Sequence, residues 1–117
     1  DDQWGAPTGA ELLADVTAHA LRHLQQRPQD AGLYHLVAGG EVTWNGYAKF
    51  VIEHASKAQS AIKIVAKEVA PVPTSAFPTP AVRPHNSRLN TSKLQTTFGL
   101  TLPHWQAGVE RMLTEIL

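Results

Sequence analysis

The apolar residues of the first third of the chain recur at helical spacing. The stripe ends before Pro28 and consists of Leu13, Val16, Thr17, Ala20, Leu21 and Leu24. Such a stripe is typical of an amphipathic helix that packs one face on a core. Thr8 is followed three residues later by Glu11, and this spacing predicts a capping box at the start of the helix. Residues 1–8 show no periodicity and are expected to form a loop.

The middle of the chain combines short apolar runs with a second helical stripe. The glycine-flanked run from Leu33 to Val37 and the β-branched run from Ile62 to Val72 both predict strands. Between these runs, Thr43 predicts the N-cap of a second helix. The apolar face of that helix comprises Trp44, Tyr47, Ala48, Val51, Ile52 and Ala55.

Prolines concentrate in one segment. Five of the eight prolines lie between Pro71 and Pro84. Proline fixes φ and lacks an amide hydrogen, so the segment is incompatible with a helix interior or a central strand. Phe77, Val82 and Leu89 are interspersed, and a further apolar pattern follows. We therefore expect a stiff loop docked on the surface rather than a disordered linker.

The C-terminal part of the sequence predicts two more helices. Residues Asn86 to Leu89 are expected to be extended, and Thr91 to Phe98 to form a short helix stopped by Gly99. Pro103 opens the last helix, whose buried stripe consists of Trp105, Val109, Met112, Leu113 and Ile116. This order of elements predicts a small α/β or α+β lobe, and the length suits a single domain over residues 1–117.

Composition narrows the class of protein. The 10 Lys and Arg residues balance 10 Asp and Glu residues, which argues against a nucleic-acid partner. No apolar run is long enough to span a membrane, and the first residues do not resemble a signal peptide. The absence of cysteine excludes disulfides and thiolate metal sites. We therefore expect a cytoplasmic protein with neither a nucleic acid nor a membrane as partner.

The sequence contains no self-contained catalytic motif. A glycine-rich dinucleotide turn, a P-loop and a zinc-protease helix are all missing from the 117 residues. A complete dinucleotide-binding oxidoreductase needs a doubly wound sheet, of which a chain of this length provides at most half. No catalytic residue is assigned.

A polar stripe on the first helix has two interpretations. Glu11, Asp15, His19 and His23 are spaced four residues apart and share one helix face. Two carboxylates suit Mg²⁺ and two imidazoles suit Zn²⁺, so the stripe is a candidate metal site. The alternative is a solvated face whose acids and histidines follow the helix dipole, and the pattern by itself favours this alternative.

The densest cluster of hydrogen-bond donors is the run from Arg83 to Arg88. Guanidinium groups match phosphate oxygens, and a proline-stiffened loop would hold them in place as an anion cradle. Alternatively, the two arginines pair with carboxylates such as Glu68 or Glu110 and pin the loop down. Spacing leaves both interpretations open.

The three tryptophans differ in their surroundings. Trp44 and Trp105 lie on apolar helix faces and are predicted to pack in the core. Trp4 lies in the loop before the first helix, and is either a core residue or one wall of a ligand cleft.

Five segments, in this order, resemble one protein family. They are DQWGAPT at 2–8, GLYHL at 32–36, TWNGYA at 43–48, PTPAVRPHNSRL at 78–89 and LPHW at 102–105. From Asp1 to Leu117 the chain resembles the C-terminal substrate-binding portion of the dTDP-4-dehydrorhamnose reductase family, whose members are extended short-chain dehydrogenase/reductases.

This resemblance implies the function of an oxidoreductase. Family members reduce dTDP-4-dehydro-L-rhamnose to dTDP-L-rhamnose with NADPH or NADH, in dTDP-rhamnose biosynthesis. Their N-terminal Rossmann domain holds the cofactor and the catalytic residues, and their C-terminal lobe closes over the nucleotide sugar. We expect this chain to be the lobe without its Rossmann partner, and to be inactive by itself. The alternative is a non-catalytic binding or regulatory module built from the same lobe.

The resemblance also implies site residues. The loop at 3–8 is expected to face the active-site cleft, and the run at 83–88 to contact the dTDP-linked deoxy sugar. The predicted substrate-binding residues are Gln3, Trp4, Pro7, Arg83, Asn86, Ser87 and Arg88. Some relatives form a dimer bridged by Mg²⁺, which makes Glu11 and Asp15 the candidate metal ligands and a homodimer the expected assembly.

Overall fold

The computed structural model describes residues 1–58 and 61–117. Within these residues it contains helices α1 (Ala10–Gln26), α2 (Trp44–Lys57), α3 (Ser92–Phe98) and α4 (Trp105–Ile116), and strands β1 (Trp4–Gly5) and β2 (Val42–Thr43). Single 3-10 turns occupy Pro28–Asp30 and Thr74–Ala76. The fold is thus mixed, with helices that predominate and a minimal sheet. No helix in the described part of the chain is long and apolar enough to cross a membrane.

The small sheet is organised around β1. Trp4 pairs with Thr43 and Gly5 with Val42 in antiparallel register. On its other side, the Trp4 amide donates to the carbonyl of His85 at 2.7 Å, and the Ser87 amide donates to the carbonyl of Trp4 at 2.8 Å. The backbone of Trp4 is therefore held between β2 and the segment that follows the proline-rich loop.

The helix ends are set by different groups. Helix α1 begins after Gly9 without a side-chain cap, so the predicted capping box is wrong. The Thr8 hydroxyl instead donates to the Ala6 carbonyl and accepts the Ala38 amide, both at 3.0 Å. This ties the loop before α1 to the loop before β2, and the hydroxyl is not available to cap the helix.

Two other predicted helix ends are confirmed. The Thr43 side chain accepts a hydrogen bond from the Gly46 amide at 3.1 Å and caps α2. Helix α3 ends at Gly99, whose φ of 62° lies in the left-handed region that glycine adopts without strain.

Neither of the two predicted strands forms. Residues 33–37 are irregular, and Tyr34 and Leu36 pack half-buried against the core without a strand partner. Residues 62–72 are also irregular, and Val65 is mostly exposed. The local preference of these runs is extended, but a strand also needs a neighbour to complete its backbone hydrogen bonds. The sheet forms instead at β1 and β2, which the pattern did not indicate.

The core consists of two adjoining clusters. The first buries Val16, Leu94, Phe98 and Leu102, and joins α1 to α3. The second buries Ala38, Trp105, Val109 and Leu113, and joins α4 to α2 and the loop before β2. Leu12 packs against both clusters and connects them. The predicted stripe of α4 is therefore confirmed for Trp105, Val109 and Leu113, whereas Met112 and Ile116 are exposed.

The proline-rich segment is docked only in its first half. The backbone nitrogen of Asp1 donates to the Val72 carbonyl, and the Asp2 carboxylate accepts from the Thr74 amide at 3.0 Å. Beyond this point Phe77 is 72% exposed and Val82 is 98% exposed. The prediction of a docked loop is thus confirmed around Thr74, but these two apolar side chains do not supply the contact.

The structure is more open than its length requires. Its radius of gyration is 17.3 Å, whereas a compact domain of 117 residues measures about 13 Å. Its accessible surface is 8412 Å², against about 6,200 Å² for a folded monomer of this mass. The two small cores leave a large exposed surface, part of which shapes the clefts described next.

Candidate ligand-binding cleft

A cleft of about 340 Å³ opens beside β1. This volume lies at the lower end of the range for small-molecule sites, about 300–1,000 Å³. The lining residues come from β1 and its loop, from the start of α2 and from the segment after the prolines. They are Gln3, Trp4, Gly5, Ala6, Pro7, Val42, Thr43, Trp44, Tyr47 and Ser87.

Two partly exposed tryptophans dominate the cleft wall. Trp4 is 40% exposed and Trp44 is 66% exposed. Trp44 contacts Tyr47 edge-on, with ring centroids 5.9 Å apart, and Tyr47 in turn meets the buried Trp105 at 6.2 Å. The prediction that Trp44 packs in the core is wrong, because the Thr43 cap places Trp44 on the first turn of α2, at the edge of the helix contact with α4. Trp105 is buried as predicted.

The polar groups of the cleft are few. The Gln3 amide nitrogen donates to the Thr74 hydroxyl at 3.1 Å, and the Thr43 hydroxyl is occupied as the α2 cap. The Ser87 amide is bound to the Trp4 carbonyl, while no hydrogen bond within the described residues involves the Ser87 hydroxyl. An aromatic cleft with a few fixed polar groups suits a ligand that has an apolar ring and scattered hydroxyls.

A wider groove of about 680 Å³ adjoins the cleft and shares Gln3 and Trp44 with it. Residues 69–81 form much of its apolar wall, and Arg83 lies at its margin. Among residues 1–58 and 61–117, no side-chain hydrogen bond or ion pair engages Arg83, so its guanidinium charge is uncompensated. The interpretation in which Arg83 pairs with Glu68 or Glu110 is therefore not observed.

Arg88, unlike Arg83, has hydrogen-bond and ion-pair partners within the protein. Its Nε donates to the Asn86 side-chain oxygen at 2.9 Å, and its Nη1 lies 3.4 Å from both carboxylate oxygens of Glu41. Its Cζ lies 5.8 Å from the centroid of the Trp4 ring. Four predicted binding residues, Gln3, Trp4, Pro7 and Ser87, thus meet in the cleft, and Arg83 lines the groove. Asn86 and Arg88 line neither, and Arg88 lies beside the Trp4 ring.

Both histidines of the α1 polar stripe make contacts within the protein, although His19 is exposed and only His23 is half-buried. His19 Nε2 lies 3.1 Å from the Phe98 carbonyl, and the His23 ring meets Phe98 edge-on at 5.0 Å. His23 Nε2 lies 2.7 Å from the Asp30 carboxylate. This hydrogen bond, assisted by the charge of Arg27, holds the pKa of Asp30 below its ordinary value. The prediction of a stripe opposite the apolar face is wrong for His23, because α3 packs over the end of α1, whereas His19 remains exposed.

The carboxylates of the stripe, Glu11 and Asp15, do not belong to a cluster of potential metal ligands within the described residues. Glu11 forms an ion pair with Arg111, whose Nη2 lies 2.7 Å from Glu11 Oε1. Arg111 Nε also lies 3.3 Å from Glu115 Oε1. Within the described residues, no group of three or more His, Asp or Glu side chains is arranged to hold a metal ion. Glu11 and Asp15 would provide only part of the roughly six oxygen ligands of a Mg²⁺ ion.

Sequence reasoning missed the part of the cleft that α2 contributes. Val42, Trp44 and Tyr47 line it, yet the apolar pattern assigned Trp44 and Tyr47 to a buried helix face. The available signal was the Thr43 cap, because an aromatic residue in the first turn after a cap stands next to the preceding loop and not above the middle of the helix.

The sequence model of the RmlD substrate binding domain matches residues 1–117. The chain belongs to the RmlD substrate-binding domain family. A dTDP-4-dehydrorhamnose reductase of Shigella flexneri is 60% identical over 116 residues, which cover 99% of this chain and 38% of that relative. One of Burkholderia thailandensis is 38% identical over 120 residues, covering 99% of this chain and 40% of the relative.

A solved structure of this family shares the fold. The crystal structure of dTDP-4-dehydrorhamnose reductase from Bacillus anthracis, in complex with NADP, aligns with a TM-score of 0.76 and 31% sequence identity. The alignment covers 97% of this chain and 36% of that chain. The mixed, mostly helical arrangement is therefore that of the RmlD substrate-binding domain, and the chain spans about two fifths of the length of the relatives it matches.

Proposed function

We propose that this chain is the substrate-binding domain of a dTDP-4-dehydrorhamnose reductase of the extended short-chain dehydrogenase/reductase class. The reaction would reduce dTDP-4-dehydro-L-rhamnose to dTDP-L-rhamnose with hydride from NADPH or NADH. The observation that carries the proposal is the family match over residues 1–117, supported by relatives of that name at up to 60% identity. Residues 1–117 would act as one domain.

The clefts suit the two chemical halves of such a ligand. A dTDP-sugar combines flat or apolar rings with a charged diphosphate. The exposed rings of Trp4 and Trp44 can stack on a base or on the apolar face of a deoxy sugar, with Gln3, Pro7 and Ser87 around them. The uncompensated guanidinium of Arg83, at the neighbouring groove, matches the diphosphate. Asn86 and Arg88, which line neither the cleft nor the groove, complete the proposed substrate-binding set.

The described residues do not fit a dinucleotide. Such cofactors bind at the glycine-rich turn between a parallel strand and a helix, and the sheet here is a single antiparallel pair of two-residue strands. A relative is solved in complex with NADP, so we place the cofactor and the hydride transfer on polypeptide other than these residues. The Rossmann part of a reductase is the proposed partner, and no catalytic residue is proposed within the chain.

A homodimer bridged by Mg²⁺ is a further part of the proposal, and it requires metal ligands in addition to those of one chain. Glu11 and Asp15 would supply two carboxylates, and the remaining oxygen ligands would come from a second chain or from water. Binding would also require Glu11 to exchange its ion pair with Arg111. A sedimentation experiment with and without Mg²⁺ tests this part separately, and an unchanged mass would contradict it.

The test of the main proposal is calorimetric titration of the full chain with dTDP and dTDP-L-rhamnose. We expect Arg83→Ala to weaken binding of both ligands about tenfold, because a charge-assisted contact is lost. Arg22→Ala is the matched control, since it removes the same charge from an exposed position on α1 that lines neither cleft. A chain that binds a protein partner but no dTDP-linked ligand would instead support the non-catalytic module.

A further inference from the structure

We propose that Arg88 is a positioning residue that holds the Trp4 ring in the cleft wall, and that Arg83 is the arginine of this segment that meets the ligand's phosphates. The inference rests on the proposed function. It gives different roles to Arg83 and Arg88, which lie five residues apart in one cluster of hydrogen-bond donors.

The Trp4 backbone is fixed, but its side chain is not enclosed. Hydrogen bonds to His85 and Ser87 on one side, and pairing with Thr43 on the other, locate its Cα. The indole remains 40% exposed, so packing within the core does not determine the orientation of the ring. A stacking wall needs a defined orientation, because a mobile ring loses part of its binding energy in becoming ordered.

Arg88 supplies that restraint, and two side chains, Asn86 and Glu41, hold Arg88 itself in place. The Asn86 side-chain oxygen accepts hydrogen bonds from both the Arg88 amide, at 3.1 Å, and its Nε, at 2.9 Å. Glu41 holds the far end of the guanidinium through Nη1 at 3.4 Å. With both ends held, the planar group stays near the Trp4 ring, 5.8 Å from its centroid, within the distance at which cations attract aromatic faces.

The charge balance separates the two arginines. The charge of Arg88 is compensated by Glu41, so an approaching phosphate meets an arginine–carboxylate pair with no net charge. The Glu41 carboxylate also repels that phosphate. Arg83 has no such partner among the described residues and borders the groove next to the cleft. A phosphate therefore gains more attraction at Arg83 than at Arg88.

The decisive experiment compares ligands of increasing charge: thymidine, dTMP and dTDP, titrated into the full chain. We expect the paired variant Arg88→Met with Glu41→Gln, which leaves the net charge unchanged, to weaken all three by the same factor, about two- to fivefold, because it disorders a wall that contacts the uncharged part. We expect Arg83→Met to leave thymidine unchanged and to weaken dTDP more than dTMP. Arg22→Met is again the control for loss of one positive charge.

A spectroscopic measurement without ligand tests the contact itself. The difference in fluorescence between each protein and its Trp4→Phe counterpart isolates the emission of Trp4. Arg88→Met and Glu41→Gln are expected to make this emission more accessible to acrylamide, and Arg83→Met to leave it unchanged. Arg88→Lys is expected not to restore the wild-type value, because an ammonium group lacks the planar fork that Asn86 and Glu41 hold.

The outcomes distinguish this inference from the function on which it rests. If the loss in the charge-neutral pair Arg88→Met with Glu41→Gln grows with phosphate charge, Arg88 is a phosphate ligand and the inference is overturned. Unchanged affinities in this pair together with unchanged Trp4 accessibility in Arg88→Met overturn it equally. Failure of the wild-type chain to bind any of the three ligands contradicts the proposed function itself, and is recognised before any variant is compared.

Discussion

The Asp2 carboxylate accepts hydrogen bonds from both the backbone amide and the side-chain hydroxyl of Thr74, so residues 72 positions apart share one contact. The same hydroxyl accepts a hydrogen bond from Gln3, which lines both the cleft and the groove. The attachment of the proline-rich segment and the position of a proposed ligand-binding side chain therefore depend on the same few atoms.

This contact predicts that the proline-rich segment loosens in acid. The hydrogen bond from the Thr74 side chain holds the pKa of Asp2 below its ordinary value of 3.8, and the nearby His85 acts in the same direction. Because the folded pKa is the lower one, the stabilisation is complete above pH 3.8 and is lost as the pH falls through the folded pKa. We expect protection of the Thr74 amide from hydrogen exchange, corrected for its intrinsic rate, to fall in that range.

The control for this prediction is Asp2→Asn. The asparagine oxygen still accepts a hydrogen bond but does not titrate, so its protection at Thr74 should be weaker near neutrality and flat in acid. A variant whose protection falls with pH as steeply as that of the wild type would show that another group is responsible.

A second prediction concerns two neighbours on α4. Leu113 is 2% exposed in the second core cluster, whereas Met112 is 39% exposed. We expect Leu113→Ala to lower the free energy of unfolding by about 2–5 kcal/mol, because it leaves a cavity among Trp105, Val109 and their neighbours. Met112→Ala is expected to cost less than about 1 kcal/mol. Urea denaturation measures both, and equal losses would contradict the assignment of the buried face.

The sequence predicts where the helices lie because a helix is largely a local structure, although Leu13 and Leu21 of the predicted α1 stripe are exposed. Its period of 3.6 residues and the residues at its ends can be recognised in the sequence. Thr43, which caps α2, and Gly99, which ends α3, are examples. The two expected strands failed for the opposite reason. A strand needs a hydrogen-bonded neighbour that can be distant in the sequence. The runs at 33–37 and 62–72 have no such neighbour, whereas the two-residue strands that begin at Trp4 and Val42 pair with each other.

The site was predictable in part. Gln3, Trp4, Pro7 and Ser87 were each predicted to bind substrate, and they line one cleft. The sequence contains no signal that Glu41 would compensate Arg88, because the two residues are 47 positions apart. Whether a polar side chain is a free ligand group or an internal partner depends on such distant contacts, so the donor cluster could be located but its members could not be told apart.

A third prediction separates the two threonines that precede helices. Thr8→Ala removes the acceptor of the Ala38 amide, a backbone group of a buried residue, and is expected to cost about 1–3 kcal/mol. Thr8→Ser keeps the hydroxyl and should recover most of this loss. Thr43→Ala removes a helix cap and is expected to cost about 0.5–2 kcal/mol.

The unfolding free energies of these variants do not by themselves assign the roles, so the local readout is amide exchange. Thr8→Ala should deprotect Ala38 and leave the first turn of α1 unchanged, since α1 has no side-chain cap. If exchange instead accelerates in the first turn of α1, the residue is a helix cap after all.

The last prediction concerns a close approach at Gly40. Its φ is 78°, and a Cβ at this position would lie 2.2 Å from Nε2 of His104, whose Nδ1 accepts the Gln106 amide at the start of α4. We expect Gly40→Ala to cost more than about 1–2 kcal/mol, since left-handed strain is added to displacement of the His104 ring. Gly108→Ala, within α4 and without a neighbour inside 4 Å of the added Cβ, should instead raise the free energy of unfolding by about 0.5–1 kcal/mol.

In a His104→Ala background the clash is absent but the backbone strain persists. Urea denaturation should therefore show a smaller but still unfavourable effect of Gly40→Ala, and an effect that disappears would mean that the backbone at Gly40 is not strained.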